Sequence, residues 1–207
     1  MQRPFEKFEE ECMRLLAKSR IILDVGGGKR FMKGMKKFEL LFCNCEYRTL
    51  DSSADYGPDI LGDIHALPLA DNSIDGVICR SVLEHVERPW DALREIHRVL
   101  KNGGLVFIQV PSIYPYHART GVGAYPDYWR FFESTIRLMS RGFENVTIQK
   151  HGGWFHAMSR FLPLQAKFRW LLDPSAYLLD SLFRTEKKIR LHFIPFCCKN
   201  NRLQCAS

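Results

Sequence analysis

The 207-residue sequence has no run of about 18 consecutive apolar side chains, the length a membrane-crossing helix needs, so no transmembrane helix is expected. Its first residues, Met-Gln-Arg-Pro-Phe-Glu-Lys, are charged with no apolar run behind them, which reads as no signal peptide. Seven cysteines are present (Cys12, Cys43, Cys45, Cys79, Cys197, Cys198 and Cys205), but no pair has the Cys-x-x-Cys spacing of a zinc or redox site. No metal site is expected. The odd count suits a reducing cytosol, so the expected location is cytoplasmic. Cys43 and Cys45 would share one face of a strand as small buried hydrophobes. There is no internal repeat, no low-complexity stretch, and no Ser/His/Asp or Cys/His arrangement for covalent catalysis.

What is present is the composition of a globular protein, 46% hydrophobic and 26% charged, long enough to bury a core. The net charge is +7, and its excess is uneven: nine Lys/Arg stand against three Asp/Glu from Arg160 onward. A basic segment of this kind favours an anionic neighbour such as nucleic acid, a phospholipid surface or a phosphorylated substrate. It reads equally as a solvated basic face.

The hydrophobic period changes along the chain. Phe8, Cys12, Leu15 and Leu16 recur at helical spacing, predicting a helix over Phe5 to Ser19. Ile21 to Val25 is a short β-branched run stopped by Gly26-Gly27-Gly28, a buried strand entering a tight turn. Further strands are predicted at Tyr47–Leu50, Asp59–Ile64, Gly76–Cys79, Leu105–Val110, Asn145–Lys150 and Ile189–Cys198, where Pro195 suggests an edge position. A helix should start at Pro89 and end in a left-handed cap at Gly103; another should cover Glu133 to Ser140. Ile113 to Tyr128 reads as a loop or lid. Phe155 to Phe183 is helical in composition but split by Pro163 and Pro174 into short helices, expected to cap the substrate side with the apolar face inward. Short, continuously apolar strands alternating with helices predict a parallel sheet covered on both faces, a doubly wound α/β fold.

Two features carry the chemistry. Three glycines after a strand let the backbone turn sharply and approach a ligand, and a helix following them would favour an anionic group. Asp51 comes 23 residues after Gly28 at the end of the second predicted strand, where an acidic residue in such folds accepts hydrogen bonds from ribose hydroxyls. A G-x-G-x-x-G dinucleotide fingerprint would need glycine at position 31, which is Phe31; this weakens a dehydrogenase reading.

Ile22-Leu23-Asp24-Val25-Gly26-Gly27-Gly28 resembles the first motif of class I S-adenosylmethionine-dependent methyltransferases of the type 11 kind. Gly62 to Asp75, Ser81 to Val86 and Arg94 to Gly104 resemble that family's later blocks, in its order and spacing, over roughly Ile21 to Pro111. The resemblance implies a Rossmann-like, mostly parallel seven-stranded sheet with helices on both faces and a helical C-terminal elaboration. One domain is expected over 1–207: an N-terminal helix to 20, a cofactor-binding half over 21–111, and a substrate-side half over 112–207 with a helical insertion at 154–184. The implied cofactor is S-adenosyl-L-methionine, leaving as S-adenosyl-L-homocysteine. Asp24 and the backbone of Gly26, Gly27 and Gly28 would hold its methionine portion, Asp51 with Ser52 its ribose, Asp63 and Ile64 its adenine. Arg80 and Ser81 would lie near the sulfonium.

Arg30 stands where the family usually carries another glycine, and Arg80 where a smaller or uncharged residue is usual. A cation beside a sulfonium is unfavourable unless it points away or pairs with an acid. Tyr125 to Phe131, preceded by His117, resembles a segment of one group of these enzymes, several of which are associated with cell-surface glycan or lipid assembly. It offers Tyr128, Trp129 and Arg130 for substrate binding; alternatively Trp129 and Phe131 plug the core while Asp127 and Arg130 pair. His85 is the first candidate base, then His117 and Asp127. The reading is methyl transfer to a small-molecule, lipid or glycan acceptor, with membrane contact through the basic C-terminal segment as a further expectation. The alternatives are a catalytically silent binding protein, favoured by Arg30 and Arg80, and a nucleic-acid methyltransferase, disfavoured by the lack of an Asn-Pro-Pro-Tyr type motif.

Overall fold

The computed structural model describes residues 4–32, 34–162, 167–183 and 193–200. Helix α1 (Pro4–Leu16) leads into β1 (Ile21–Val25), a 3-10 helix over Met35–Phe42, β2 (Glu46–Asp51), β3 (Ile60–Leu61), β4 (Ile74–Arg80), α2 (Pro89–Val99) and β5 (Leu100–Pro111). Then follow α3 (Glu133–Met139), β6 (Glu144–Ile148), α4 (Trp154–Ser159), α5 (Arg169–Phe183) and β7 (Phe193–Asn200). Seven strands form one sheet in the order β3-β2-β1-β4-β5-β7-β6. The first five in that order pair in parallel, while β7 runs antiparallel to both of its neighbours.

The two-residue period of the central strands sorts their side chains onto two apolar layers. Leu23, Val25, Val77 and Cys79 face Ala92, Leu93, Ile96 and Val99 of α2, with Phe131 and Ile136 alongside. Ile22, Ile78 and Phe107 face Cys12, Met13 and Leu16 of α1 and Met35, Phe38 and Phe42 of the 3-10 helix. Continuous apolar runs in β1 and β4 are thus explained by burial on both faces, and the doubly wound α/β expectation is borne out.

Several local expectations give way. Among the described residues the chain between the glycine turn and β2 forms a 3-10 helix rather than an α-helix; left-handed Phe31 (φ 59°) and Gly34 (φ 82°) precede it. Helix α2 stops at Val99 because β5 starts at Leu100, so Gly103 lies within that strand rather than capping the helix. The third strand shrinks to two residues. Cys43 and Cys45 lie in the turn before β2, Cys43 exposed and Cys45 half-buried. Pro195 is not on an edge strand: β7 sits between β5 and β6. The pairing with β6 reaches only Phe196, however, so Pro195 is opposite Gln109 of β5 just past the end of the β6 ladder, where a missing N–H is tolerated. Pro163 falls outside the described residues, and Pro174 lies inside α5 instead of ending it.

Among the described residues no helix is long and apolar enough to cross a membrane. Phe107 is fully buried where β5 meets α1. Phe107→Ala removes a ring from a close-packed layer and should lower stability by about 3–5 kcal/mol, read as a shift in the urea midpoint.

Candidate functional site

The chain order reverses beside β1: β2 and β3 lie to one side, β4 and β5 to the other. In doubly wound sheets the crevice at such a point, beyond the carboxyl ends of the strands, is where ligands bind. Here it holds a cavity of about 590 Å³, within the usual range for a small-molecule site.

One wall comes from β1 and β2. Gly26 (φ +66°) turns the chain, and its N–H donates to the Leu50 carbonyl at 2.7 Å, tying the ends of β1 and β2 together. A Cβ at Gly26 would lie 2.3 Å from Val82 Cγ2, and one at Gly27 would lie 2.6 Å from the Asp24 carboxylate, so neither position accepts a side chain. The Asp24 carboxylate sits beneath the turn and accepts a 2.7 Å hydrogen bond from Tyr47 Oη. Beside that buried carboxylate, the Tyr47 phenol is raised far above its ordinary value, with desolvation the largest cause. Asp51 and Ser52 line the cavity at the end of β2, and Asp63 and Ile64 line it beyond β3. The Asp51 carboxylate is buried and steadied by the Ser53 N–H at 3.2 Å. Burial would raise the Asp63 carboxyl, but hydrogen bonds from the backbone and ring of His65 hold it below its ordinary value.

The opposite wall comes from the turn after β4 and from the segment 112–130. Ser81, in left-handed conformation (φ 52°), Val82, Glu84 and His85 meet Tyr114, His117, Tyr125 and Tyr128. The segment is tied down at two points. Tyr56 Oη donates to the Gly123 carbonyl (2.5 Å), and the Gly123 N–H donates to the Asp55 carboxylate (3.0 Å). The Glu84 carbonyl accepts from the backbone N–H groups of Tyr128 and Trp129 at 2.8 and 3.2 Å.

His85 Nδ1 lies 2.6 Å from the Pro126 carbonyl. A carbonyl can only accept, so Nδ1 carries the proton and Nε2 is the basic nitrogen. His117 Nδ1 lies 3.1 Å from the Asp127 carboxylate and 3.1 Å from the Pro115 carbonyl, which assigns its proton in the same way. Asp127 is clamped in turn: Arg130 reaches its two oxygens at 2.6 and 2.8 Å, and the His117 backbone N–H adds a bond at 2.8 Å. Burial would raise the Asp127 carboxyl, but these donors and the neighbouring charges outweigh it and hold it at about 2.

The candidate residues therefore divide. Gly26, Asp51, Ser52, Asp63, Ile64, Ser81, His85, His117 and Tyr128 line the cavity; Asp24, Gly27, Gly28, Arg80, Asp127, Trp129 and Arg130 do not. Arg80 turns to the other face of the sheet, where Nη2 pairs with the buried Glu9 carboxylate at 2.9 Å and Nε donates to Gln109 at 2.9 Å. Arg30 pairs with Asp59 at 2.8 Å. Trp129 Nε1 donates to the Val86 carbonyl at 3.0 Å, Phe131 is in the core, and Arg130 serves Asp127 and the carbonyls of Tyr114 and Pro115. Sequence reasoning did not single out Tyr56, Tyr114, Tyr125 or Arg119. Aromatic enrichment in 112–130 was the one signal for two of them, Tyr114 and Tyr125. Glu84, His85 and His117 also bring one donor atom each within 4.8 Å of one another, a set that could hold a divalent cation, although the sequence suggested no metal site.

A crevice at the reversal point of a doubly wound sheet, with an acidic residue closing the second strand, defines a domain of the nucleotide-cofactor-binding class. Residues 23–108 match the family model described as a methyltransferase domain, and over that stretch the chain is similar to class I S-adenosylmethionine-dependent methyltransferases. An uncharacterized methyltransferase of Mycobacterium avium (strain 104) is 34% identical over 106 residues, covering 44% of this chain and 40% of that protein. The matched region thus spans well under two thirds of such relatives. Among solved structures, Haemonchus contortus phosphoethanolamine N-methyltransferase 2 in complex with S-adenosyl-L-methionine is similar in fold (TM-score 0.59, 14% identity, 95% of this chain and 53% of that one). So is a SAM-dependent methyltransferase from Archaeoglobus fulgidus (TM-score 0.56, 15% identity, 95% and 100%).

The depressed Asp127 carboxyl generates a prediction with a definite sign. Its folded value of about 2 lies below the ordinary 3.8, so its ionisation stabilises the fold above about pH 4 and ceases to do so as pH falls towards 2. Asp127→Asn should cost about 2 kcal/mol near neutral pH, and the gap between the urea midpoints of the two proteins should narrow below about pH 4 and close towards about pH 2.

Proposed function

We propose that this chain transfers the methyl group of S-adenosyl-L-methionine to a small acceptor that must give up a proton, a small molecule or the polar end of a lipid or glycan intermediate. The observation that carries the reading is one cavity with two chemically different walls. One wall offers the Gly26 turn and the carboxylates of Asp51 and Asp63; the other offers two histidines and Tyr114, Tyr125 and Tyr128. The first set fits the cofactor. A buried carboxylate at the end of β2 suits a ribose diol, an exposed one beyond β3 suits an amine, and the tight turn lets main-chain atoms come close.

When bound, the cofactor supplies an electrophilic methyl group, so the protein has chiefly to align the acceptor and exclude water. The segment 112–130, pinned through Tyr56 and Glu84, screens the chamber. His85 Nε2 accepts the acceptor's proton, because Nδ1 is committed to the Pro126 carbonyl. His117, oriented by Asp127, stands beside it with ring centroids 4.9 Å apart. The ion pairs of Arg30 with Asp59 and of Arg80 with Glu9 draw both cations away from the donor site, which favours an active enzyme over a silent binding protein. A cavity of about 590 Å³ favours a small acceptor over an intact nucleic acid.

Calorimetric titration with S-adenosyl-L-methionine tests the donor half. Low-micromolar binding is expected, with a loss of about tenfold to a hundredfold for Asp51→Ala, worth roughly 1.4–2.7 kcal/mol. His85→Ala should leave that affinity within about twofold while slowing methyl transfer by about 10²–10⁴, the usual contribution of a positioned base. Failure of the well-folded protein to bind the cofactor would overturn the proposal.

A further inference from the structure

Helix α5 is built with its polarity reversed. The side turned towards the protein carries its acids and its tyrosine. Asp180, fully buried, accepts from the backbone N–H groups of Gly153, Phe155 and His156 at 3.1, 2.8 and 3.0 Å and so caps α4. Asp173 pairs with Arg160 at 3.3 Å, and Tyr177 Oη lies 2.7 Å from His151 Nε2. The side turned outward is apolar: Trp170 is 75% exposed, Leu171 50%, Leu178 61%, Leu182 67% and Phe183 63%. Phe161, Leu162 and Phe168, before α5 in the chain, are exposed as well. The exposed Ser175 on this side donates its hydroxyl back to the Leu171 carbonyl at 2.9 Å. A helix facing water should show the opposite arrangement, and an apolar patch of this extent marks a surface that meets something other than water. The inward-cap expectation is corrected accordingly.

The charges say what that something is. Between Gln149 and Phe183 the chain has two acids, Asp173 and Asp180, and both are used on the inner side. Lys167 comes two residues before α5 and Arg169 begins it, while Arg184, Lys187, Lys188 and Arg190, with Glu186 the one acid among them, follow its end in sequence. An apolar face with Trp, Leu and Phe, free of acids and flanked by cations, fits the headgroup boundary of an anionic bilayer. A second copy of this chain fits less well, since each brings a net charge of +7 and the same flanking cations. The location also suits such contact. Strand β6 ends and β7 begins at the level of the carboxyl end of β5, so α4 and α5 are inserted on the edge of the sheet that bears the cavity.

We propose that α4 and α5 dock this protein on anionic phospholipid surfaces, with the outer face of α5 lying in the headgroup boundary. The inference is independent of methyl transfer, because binding is read without cofactor.

Vesicle co-sedimentation tests it, using the full chain with phosphatidylcholine vesicles and with phosphatidylcholine–phosphatidylglycerol vesicles. At least about tenfold tighter partitioning onto the anionic vesicles is expected, weakening as salt is raised. A Trp170→Ser, Leu178→Ser, Leu182→Ser variant, altered at exposed positions and checked for an unchanged thermal melt, should stay in the supernatant. A Lys167→Glu variant, which leaves the apolar face intact, should bind the anionic vesicles more weakly. The proposal is overturned if the wild type ignores both vesicle types, binds them equally, or is pelleted unchanged after the triple substitution. It is also overturned if light scattering finds a lipid-free dimer that the triple substitution dissolves, since a second copy would then cover the face.

Discussion

The Asp24 carboxylate, 3% exposed at the end of the central strand, is the group on which the geometry of the cavity rests. A charge so far from water needs partners, and Tyr47 on the neighbouring strand supplies a hydrogen bond from its hydroxyl. Gly27 lies directly above, with no room for a Cβ, and Gly26 bends the chain and bonds to Leu50. The end of β1 is thereby locked to the end of β2, and the next residue of β2, Asp51, is delivered to the cavity at a fixed height. A side chain at Gly27 or the loss of the Tyr47 hydroxyl would disturb one wall of the site without touching any ligand.

The cofactor half was legible in the sequence because its signals are local and covalently close: a β-branched run, three glycines, and an acid at the end of the next strand. Its later blocks are also physically one piece. Arg98 of α2 bonds to the Leu67 and Leu69 carbonyls and to Asp71, Glu95 accepts from the Leu67 N–H, and Lys101 pairs with Asp75. Residues in the two blocks are held by each other.

The acceptor half was much less legible. Nothing in the spacing of His85, His117 and Asp127 says that a proline carbonyl and a carboxylate set their tautomers, since those contacts join positions 41 and 10 residues apart. Tyr56 was invisible for the same reason, because its role depends on Gly123. Arg30 and Arg80 read as obstacles from sequence alone; their partners Asp59 and Glu9 lie on other elements. The reversed helix α5 was misread because its composition is that of a core helix. Only the burial of Asp180 and the exposure of Trp170 reveal which side faces out.

Hydrogen–deuterium exchange with and without S-adenosyl-L-homocysteine tests the central claim most directly. The account predicts slowed exchange in the amides around Gly26, Asp51, Asp63 and Ser81, the four strand ends that frame the cavity, with little change in α5. Protection confined to other parts of the chain, or none at saturating ligand, would contradict it.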